Sequence, residues 1–352
     1  MFKKLDIYTF KRVSKYFFLI FSVLVILFLV IDFVGKVDQI GGGHLSDVLL
    51  LVLSRLPLYV VRMLPVAVLV SVMVTVADFS STNELLVIKA LGISLYRFSI
   101  PFIVFAFFIA IFAFSVEETV VPAAAKIEKH VLINSGKKKP LVIGSQIWSK
   151  AGNKFVSIEK LNFATGEGKH FSMIEVDKRF KPIKRTDAIN VKYLGNNVWM
   201  LKDVYIRDFS NKVFRHQEDL KVNLRVSLRD LKVYSAEPEK MEIFSLIRMI
   251  KHLKALGYNV TAYQVELYNK IALPLVSVVV AFIGIPLGAF NPRNQKSYTA
   301  VVAIVITVLM WITISFFNSL GKSGVLPPIY ASFAPEFIFF SLGLMLFSRS
   351  HT

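Results

Sequence analysis

The sequence predicts a polytopic α-helical membrane protein with six transmembrane helices and an inserted β domain of the sandwich or jelly-roll kind. Three observations predict it. The chain of 352 residues is 55% hydrophobic, with a mean hydropathy of +0.58, which is too apolar for an ordinary soluble protein. Its long apolar runs gather toward the two ends and leave the middle polar. In that middle the hydrophobic period changes from helical to strict alternation.

The first apolar run, Tyr16 to Ile31, follows a basic segment holding Lys3, Lys4, Lys11, Arg12 and Lys15. Small residues suited to signal cleavage do not follow Ile31, so the run reads as a retained span. The basic cluster places the N-terminus in the cytosol. The second span, about Leu56 to Ala77, carries Arg62, Pro57 and Pro65. The third, Phe98 to Val116, has no charge, and Glu117 and Glu118 mark its outer end as a solvated pair.

Between the second and third spans lies Ser80 to Arg97. Thr82 or Asn83 reads as an N-cap, Glu84 as a first-turn acid, and Gly92 as a C-terminal stop. Leu85, Ile88 and Leu91 recur at helical spacing. The segment therefore predicts a short amphipathic cytosolic helix at about 83–92, placed to receive force from a partner. Glu84 would pair with a partner's arginine, and Leu85, Ile88 and Leu91 would enter a groove on that partner.

Strands are predicted at Leu141–Ser149, Lys154–Lys160, Phe171–Asp177, Ile183–Val191, Val198–Arg207, Val213–Gln217 and Leu220–Leu228, with Gly- and Asn-rich turns between them. Ile243, Leu246, Ile247, Ile250 and Leu253 predict an amphipathic helix ended by Gly257. A helix from Ala262 to Lys270 leads into the fourth span, Ile271 to Phe290. The fifth is Ser297 to Leu320 and the sixth Ile329 to Phe347. The organisation is thus 1–134 for three spans and the short helix, 135–235 for the β domain, and 236–352 for the connecting helices and last three spans. Arg97, Arg293, Lys296 and Arg349 keep both termini and the short helix inside.

The formal net charge is +18. Its spread over loops beside apolar runs suits an anionic membrane surface better than nucleic acid. There are no cysteines, which excludes thiolate chemistry and disulfide scaffolding. The six histidines lack metal spacing. No nucleotide-binding signature or nucleophile elbow is present, because Phe316 stands where a phosphate loop ending at Gly321-Lys322-Ser323 needs glycine. The reading is therefore a non-catalytic chain with no cofactor and no metal site. Lys36, Arg55 and Arg62 sit at the outer ends of the first two spans and are candidates for an anionic lipid headgroup. A secondary transporter is the competing class and would need Asp32, Arg62 and Glu336 to meet inside the membrane. A membrane scaffold whose outside domain binds a partner is a third.

Several segments then carry a family likeness. They are Ser81-Thr82-Asn83-Glu84-Leu85 with Gly92 after it, Val120-Val121-Pro122, the run Gln146 to Val156, and Tyr263-Gln264-Val265-Glu266-Leu267 ahead of Pro274. In this order they resemble the lipopolysaccharide export permeases, the LptF/LptG (YjgP/YjgQ) family, over essentially the whole chain. The Trp148 to Asn153 segment and Val37-Asp38-Gln39 look more like the G subunit than the F subunit. The resemblance implies an inner-membrane permease with a periplasmic β-jelly roll, paired with a second permease subunit, LptF. A cytosolic ATPase dimer, LptB, would drive it through the helix bearing Glu84. Lipopolysaccharide would pass to LptC and the periplasmic LptA bridge. One departure is Gly41-Gly42-Gly43, which stands where the family is more cationic.

Overall fold

The computed structural model describes residues 2–40, 45–134, 147–151, 154–162, 165–177, 181–209, 213–224, 237–255, 258–289 and 296–349. The chain divides into two compact units. One is Met1–Val131 with Glu239–Leu246 and Thr261–Thr352, and the other is Leu132–Pro238 with Ile247–Val260.

The first unit is helical. Its elements are α1 (Phe2–Ile40), α2 (Leu45–Ser81), α3 (Glu84–Ala90), α4 (Leu95–Asn134), α6 (Thr261–Ala289), α7 (Lys296–Lys322) and α8 (Pro328–Arg349); α5 (Ile243–Ala255) leads into it. Six of them are long and apolar enough to cross a membrane: Lys4–Gly35, Val48–Ser81, Leu95–Val131, Thr261–Ala289, Val301–Lys322 and Pro328–Arg349. Each predicted span overlaps one of these; the fourth prediction runs one residue beyond Ala289, to Phe290, which lies outside the described residues, and the fifth starts at Ser297, four residues before Val301. The helix predicted over Ala262 to Lys270 is not separate but the first turns of α6.

Burial ranks the helices. The most apolar window of α2 is 72% buried and that of α6 61%, against 6% for α1 and 17% for α7. So α2 and α6 form the centre, while α1 and α7 present apolar side chains outward. Close approach at the centre depends on small residues. Gly284 and Gly288 lie four apart on α6, where an added Cβ would come within 3.2 Å of Met73 and 2.7 Å of the Met73 carbonyl oxygen respectively. This is the small-residue packing that membrane helices use, since lipid offers little hydrophobic drive for association. Prolines lie inside α2, α4, α6 and α8, as membrane helices tolerate better than soluble ones.

The second unit holds one antiparallel sheet of β1 (Ile147–Ala151), β2 (Lys154–Asn162), β3 (Glu167–Val176), β4 (Pro182–Gly195), β5 (Val198–Asp208) and β6 (Val213–Asn223). The strands pair in sequential order. The inserted antiparallel β domain is thus present as expected, and among the described strands the connectivity is a meander. Period-two alternation tells which face of a strand is buried, not which strand lies beside it. The two strands predicted across 213–228 meet in one strand, β6, as far as Asn223; residues 225–228 of the prediction lie outside the described residues, as does most of the predicted 141–149 strand. Asn196 and Asn197 both take positive φ, at 50° and 63°, the conformation that a two-residue hairpin between twisted strands requires. The inner face packs Val156, Ile158, Phe171, Met173, Trp199 and Leu201 into a core of its own. Within β3 and β5, His170 and Asp203 turn to positive φ. Burial parity changes there, so that Leu201 and Val204, three apart, both face inward.

Candidate functional site

The short helix is α3, a single seven-residue run. Its C-terminus follows directly from sequence. Gly92 takes φ 76°, its N–H donates to the Lys89 carbonyl at 2.9 Å, and the Ile93 N–H donates to the Ile88 carbonyl at 3.3 Å. That pairing is a Schellman cap. Its N-terminus departs from the prediction. Asn83 occupies the cap position with φ 60° and makes no side-chain cap bond. The preceding turn is too tight for the usual extended cap residue, since the Asn83 N–H is already held by the Ser80 carbonyl at 3.1 Å. Thr82 instead donates its hydroxyl to Glu84 Oε1 at 2.9 Å.

Glu84 is gripped from within the chain. Arg12 Nη1 donates to both of its carboxylate oxygens, at 3.0 and 3.1 Å, and Arg12 Nη2 donates to Asp78 Oδ2 at 2.6 Å. Tyr16 donates its hydroxyl to the same Asp78 oxygen at 3.0 Å. The guanidinium also lies 4.5 Å from the centre of the Phe79 ring, a cation–π contact. Partial burial alone would raise the Glu84 carboxyl, but the hydrogen bonds from Arg12 and Thr82 outweigh it and hold the group below its ordinary value. A second fork, Arg97 to both oxygens of Asp6 at 2.9 and 2.6 Å, ties the start of α1 to α4. Sequence alone marks Arg12 only as one of a cluster of basic residues and gives Asp78 no role. The available signal was an acid at the end of an otherwise apolar run.

The apolar residues of α3 need a correction. Leu85 and Ile88 are 5% and 7% exposed and belong to the chain's own helical core. They therefore offer no ridge to a partner. Leu86, Val87 and Leu91 are the exposed ones, at 67%, 55% and 58%. A lone hydrophobic stripe in a sequence marks the face that is buried somewhere, and here it is buried on the helix's own bundle.

At the opposite end of the bundle, the three cations proposed for a headgroup are placed unequally. The Lys36 side chain lies outside the described residues. Arg55 Nη2 meets Glu128 Oε1 at 2.7 Å and Arg55 Nη1 lies 3.8 Å from Asp32 Oδ1. Glu128 is also paired with Lys240 at 2.7 Å. Arg62 pairs with Glu239 at 2.7 Å and stays about half exposed. Asp32, Arg62 and Glu336, the candidates for a secondary-transport site, do not meet: Asp32 accepts from Tyr59 at 2.9 Å, and Glu336 is buried with no hydrogen-bond partner for Oε2 among the described residues. The predicted solvated Glu117–Glu118 pair is also corrected. Glu118 accepts from the Ile243 N–H at 2.7 Å, while Glu117 is buried beside Lys270. Neighbours along a helix point 100° apart, so adjacent acids seldom share an environment.

Comparison with known proteins completes the site. The protein of Escherichia coli K12 named lipopolysaccharide export system permease protein LptG is 23% identical over 331 residues, covering 90% of this chain and 87% of its own length. The protein of the same name from Haemophilus influenzae is 22% identical over 361 residues, covering 99% of each. An uncharacterized protein of Aquifex aeolicus is 24% identical over 268 residues, covering 72% of each. The family described as lipopolysaccharide export system permease LptF/LptG matches residues 7–349. Matched by that family over nearly all of its length, and carrying six candidate spans with an inserted antiparallel sheet, this chain belongs to the LptF/LptG family of lipopolysaccharide export permeases.

Proposed function

We propose that this chain is one permease subunit of a lipopolysaccharide exporter, of the G kind, which pairs with a second permease of the F kind. The observation that carries the reading is a family match that spans both the bundle and the inserted sheet. A cytosolic ATPase dimer, LptB, supplies the energy, and the cargo leaves by way of LptC and the LptA bridge. Both termini and α3 face the cytosol, and the β unit lies in the periplasm; the support is the basic cluster Lys3 to Lys15 ahead of the first span, with Arg97, Arg293, Lys296 and Arg349 beside the later ones.

In this reading α3 is the coupling helix. Glu84 fixes its register against the ATPase, and Leu91, with the newly found Leu86 and Val87, makes the apolar contact. Leu85 and Ile88 transmit the push by being rooted in the bundle. Lys36, Arg55 and Arg62 meet the anionic headgroup; Arg55 and Arg62 do so while sharing their charge with Glu128 and Glu239.

The test is reconstitution with the neighbouring permease and ATPase, followed by ATP-dependent release of lipopolysaccharide to a soluble acceptor. Release that needs all three proteins supports the reading. Release without the ATPase, or none in the full set, removes it. Crosslinks to lipopolysaccharide from positions 36 and 62 should exceed those from Lys181 in the β unit, and equal yields would remove the headgroup site.

A further inference from the structure

We propose that α5 lies on the membrane surface and binds anionic phospholipid through its exposed face, with Phe244 as an apolar anchor and Arg248, Lys251 and Lys254 as phosphate partners. The bilayer's own lipid is the ligand. The proposal therefore does not rest on the transport reading, and it shares no residue with the group of Lys36, Arg55 and Arg62. The two faces of α5 differ in kind. Leu246, Ile250 and Leu253 are buried and recur at i, i+4 and i+7, so they cover one side. Phe244, Arg248, Lys251 and Ala255 recur at the same spacing on the opposite side and are exposed, Phe244 to 76%. Lys254 is exposed beside them. No Asp or Glu occurs within α5.

Position points to a membrane ligand. Helix α4 starts at Leu95, and Glu118 lies 23 residues further along it. At 1.5 Å per residue that is about 35 Å, just past the ~30 Å hydrocarbon thickness. Glu118 accepts from the Ile243 N–H at 2.7 Å, which fixes the start of α5 at headgroup level. Lys240, just before α5, pairs with Glu128 of α4 at 2.7 Å. At its other end only residues 256–260 separate α5 from Thr261, the first residue of α6, a link of at most about 20 Å. Both ends of α5 are therefore tied to membrane-crossing helices.

Charge chooses the lipid. Each basic residue at an anionic membrane surface favours binding about fivefold. The three cations span about 10 Å along the helix, a spread that suits a row of single phosphates better than one compact polyanion. Phosphatidylcholine offers phosphates too, but each carries its own ammonium, so the net attraction is small. Phe244 has no polar atom to keep wet, and its ring gains by entering the boundary between headgroups and acyl chains. A soluble acidic partner would match the cations but would have to displace lipid headgroups at this depth.

The full chain, with a photoreactive residue at Ala255 that changes no charge, would be placed in nanodiscs of equimolar phosphatidylglycerol and phosphatidylcholine. Captured lipid would be read by mass spectrometry. The expected result is about tenfold or more glycerol lipid over choline lipid. Lys251→Gln combined with Lys254→Gln should cut that preference at least about fivefold, while Lys181→Gln in the β unit should leave it unchanged. High salt should cut it too, because exposed charges are screened. Equal capture of the two lipids, no captured lipid, a preference that survives loss of both lysines, an equal loss in Lys181→Gln, or replacement of the glycerol lipid at 255 by added lipopolysaccharide would each overturn the proposal. The salt dependence of the chain with both lysines present decides the matter if the double variant does not fold.

Discussion

At the scale of single residues, Arg12 is the hinge pin between α1, α2 and α3. It holds two carboxylates at once, so removing it differs from removing either of them. Glu84→Ala leaves Arg12 with Asp78 and costs about 1 kcal/mol. Arg12→Ala strands both acids and costs about 2–3 kcal/mol. Thermal unfolding of the two variants in detergent should therefore rank Arg12→Ala below Glu84→Ala. Function should rank them the other way if Glu84 also contacts the ATPase: Glu84→Ala should lose ATPase co-purification, and Arg12→Ala should keep most of it. Equal loss in both would reduce Glu84 to an internal tie. The pH dependence has a definite sign. The folded Glu84 carboxyl lies below its ordinary value of 4.5, so its stabilising contribution is complete above that pH and fades as pH falls below it. Melting curves taken between neutrality and pH 3.5 should fall less steeply for Glu84→Gln than for the unaltered chain.

At the scale of elements, the contact between α2 and α6 sets how the bundle packs. An added methyl at position 288 would lie 2.7 Å from the Met73 carbonyl oxygen and 2.8 Å from Val76 Cβ. Backbone cannot yield as a flexible side chain can, so the helices must separate. Gly288→Ala should lower stability by about 1–3 kcal/mol, seen as a lower midpoint of thermal unfolding. Gly324→Ala, where the added methyl would meet nothing within 4 Å but φ is +82°, tests backbone strain alone and should cost about 1 kcal/mol. A midpoint in Gly288→Ala equal to that of the unaltered chain would show that α2 and α6 slide freely. The outer helices behave differently. Several mid-span apolar side chains of α1, such as Val23, Ile26, Val30 and Ile31, are more than half exposed. Its polar ties lie near its ends, Arg12 and Asp6 at one and Asp32 with Tyr59 at the other, while Phe17, Ile20, Phe21 and Leu24 pack on the core between them.

At the scale of the whole molecule, the proposed topology puts residues of the β unit and of α3 on opposite sides of the membrane, and this can be tested directly. The chain has no cysteine, so single cysteines report without background. A cysteine at Lys221, in β6, should react with an impermeant thiol reagent in spheroplasts, and one at Ser81, at the end of α2, should react only after lysis. The reverse pattern would invert the proposed orientation.

Sequence alone determined the class, the six spans, the position of the inserted sheet and the C-terminal stop of α3. These depend on local quantities: apolar run length against membrane thickness, period-two alternation, and glycine's freedom at φ 76°. Family segments scattered from Ser81 to Pro274 were legible for the same reason, because each is a short contiguous string. What only the tertiary structure decided are the partnerships between distant residues. Arg12 meets Glu84 across 72 positions and Arg62 meets Glu239 across 177, and no local pattern encodes such a pairing. The same holds for direction. Helical spacing found Leu85 and Ile88 but could not say that their stripe faces inward, because a hydrophobic face has the same period whether its own bundle or another protein covers it.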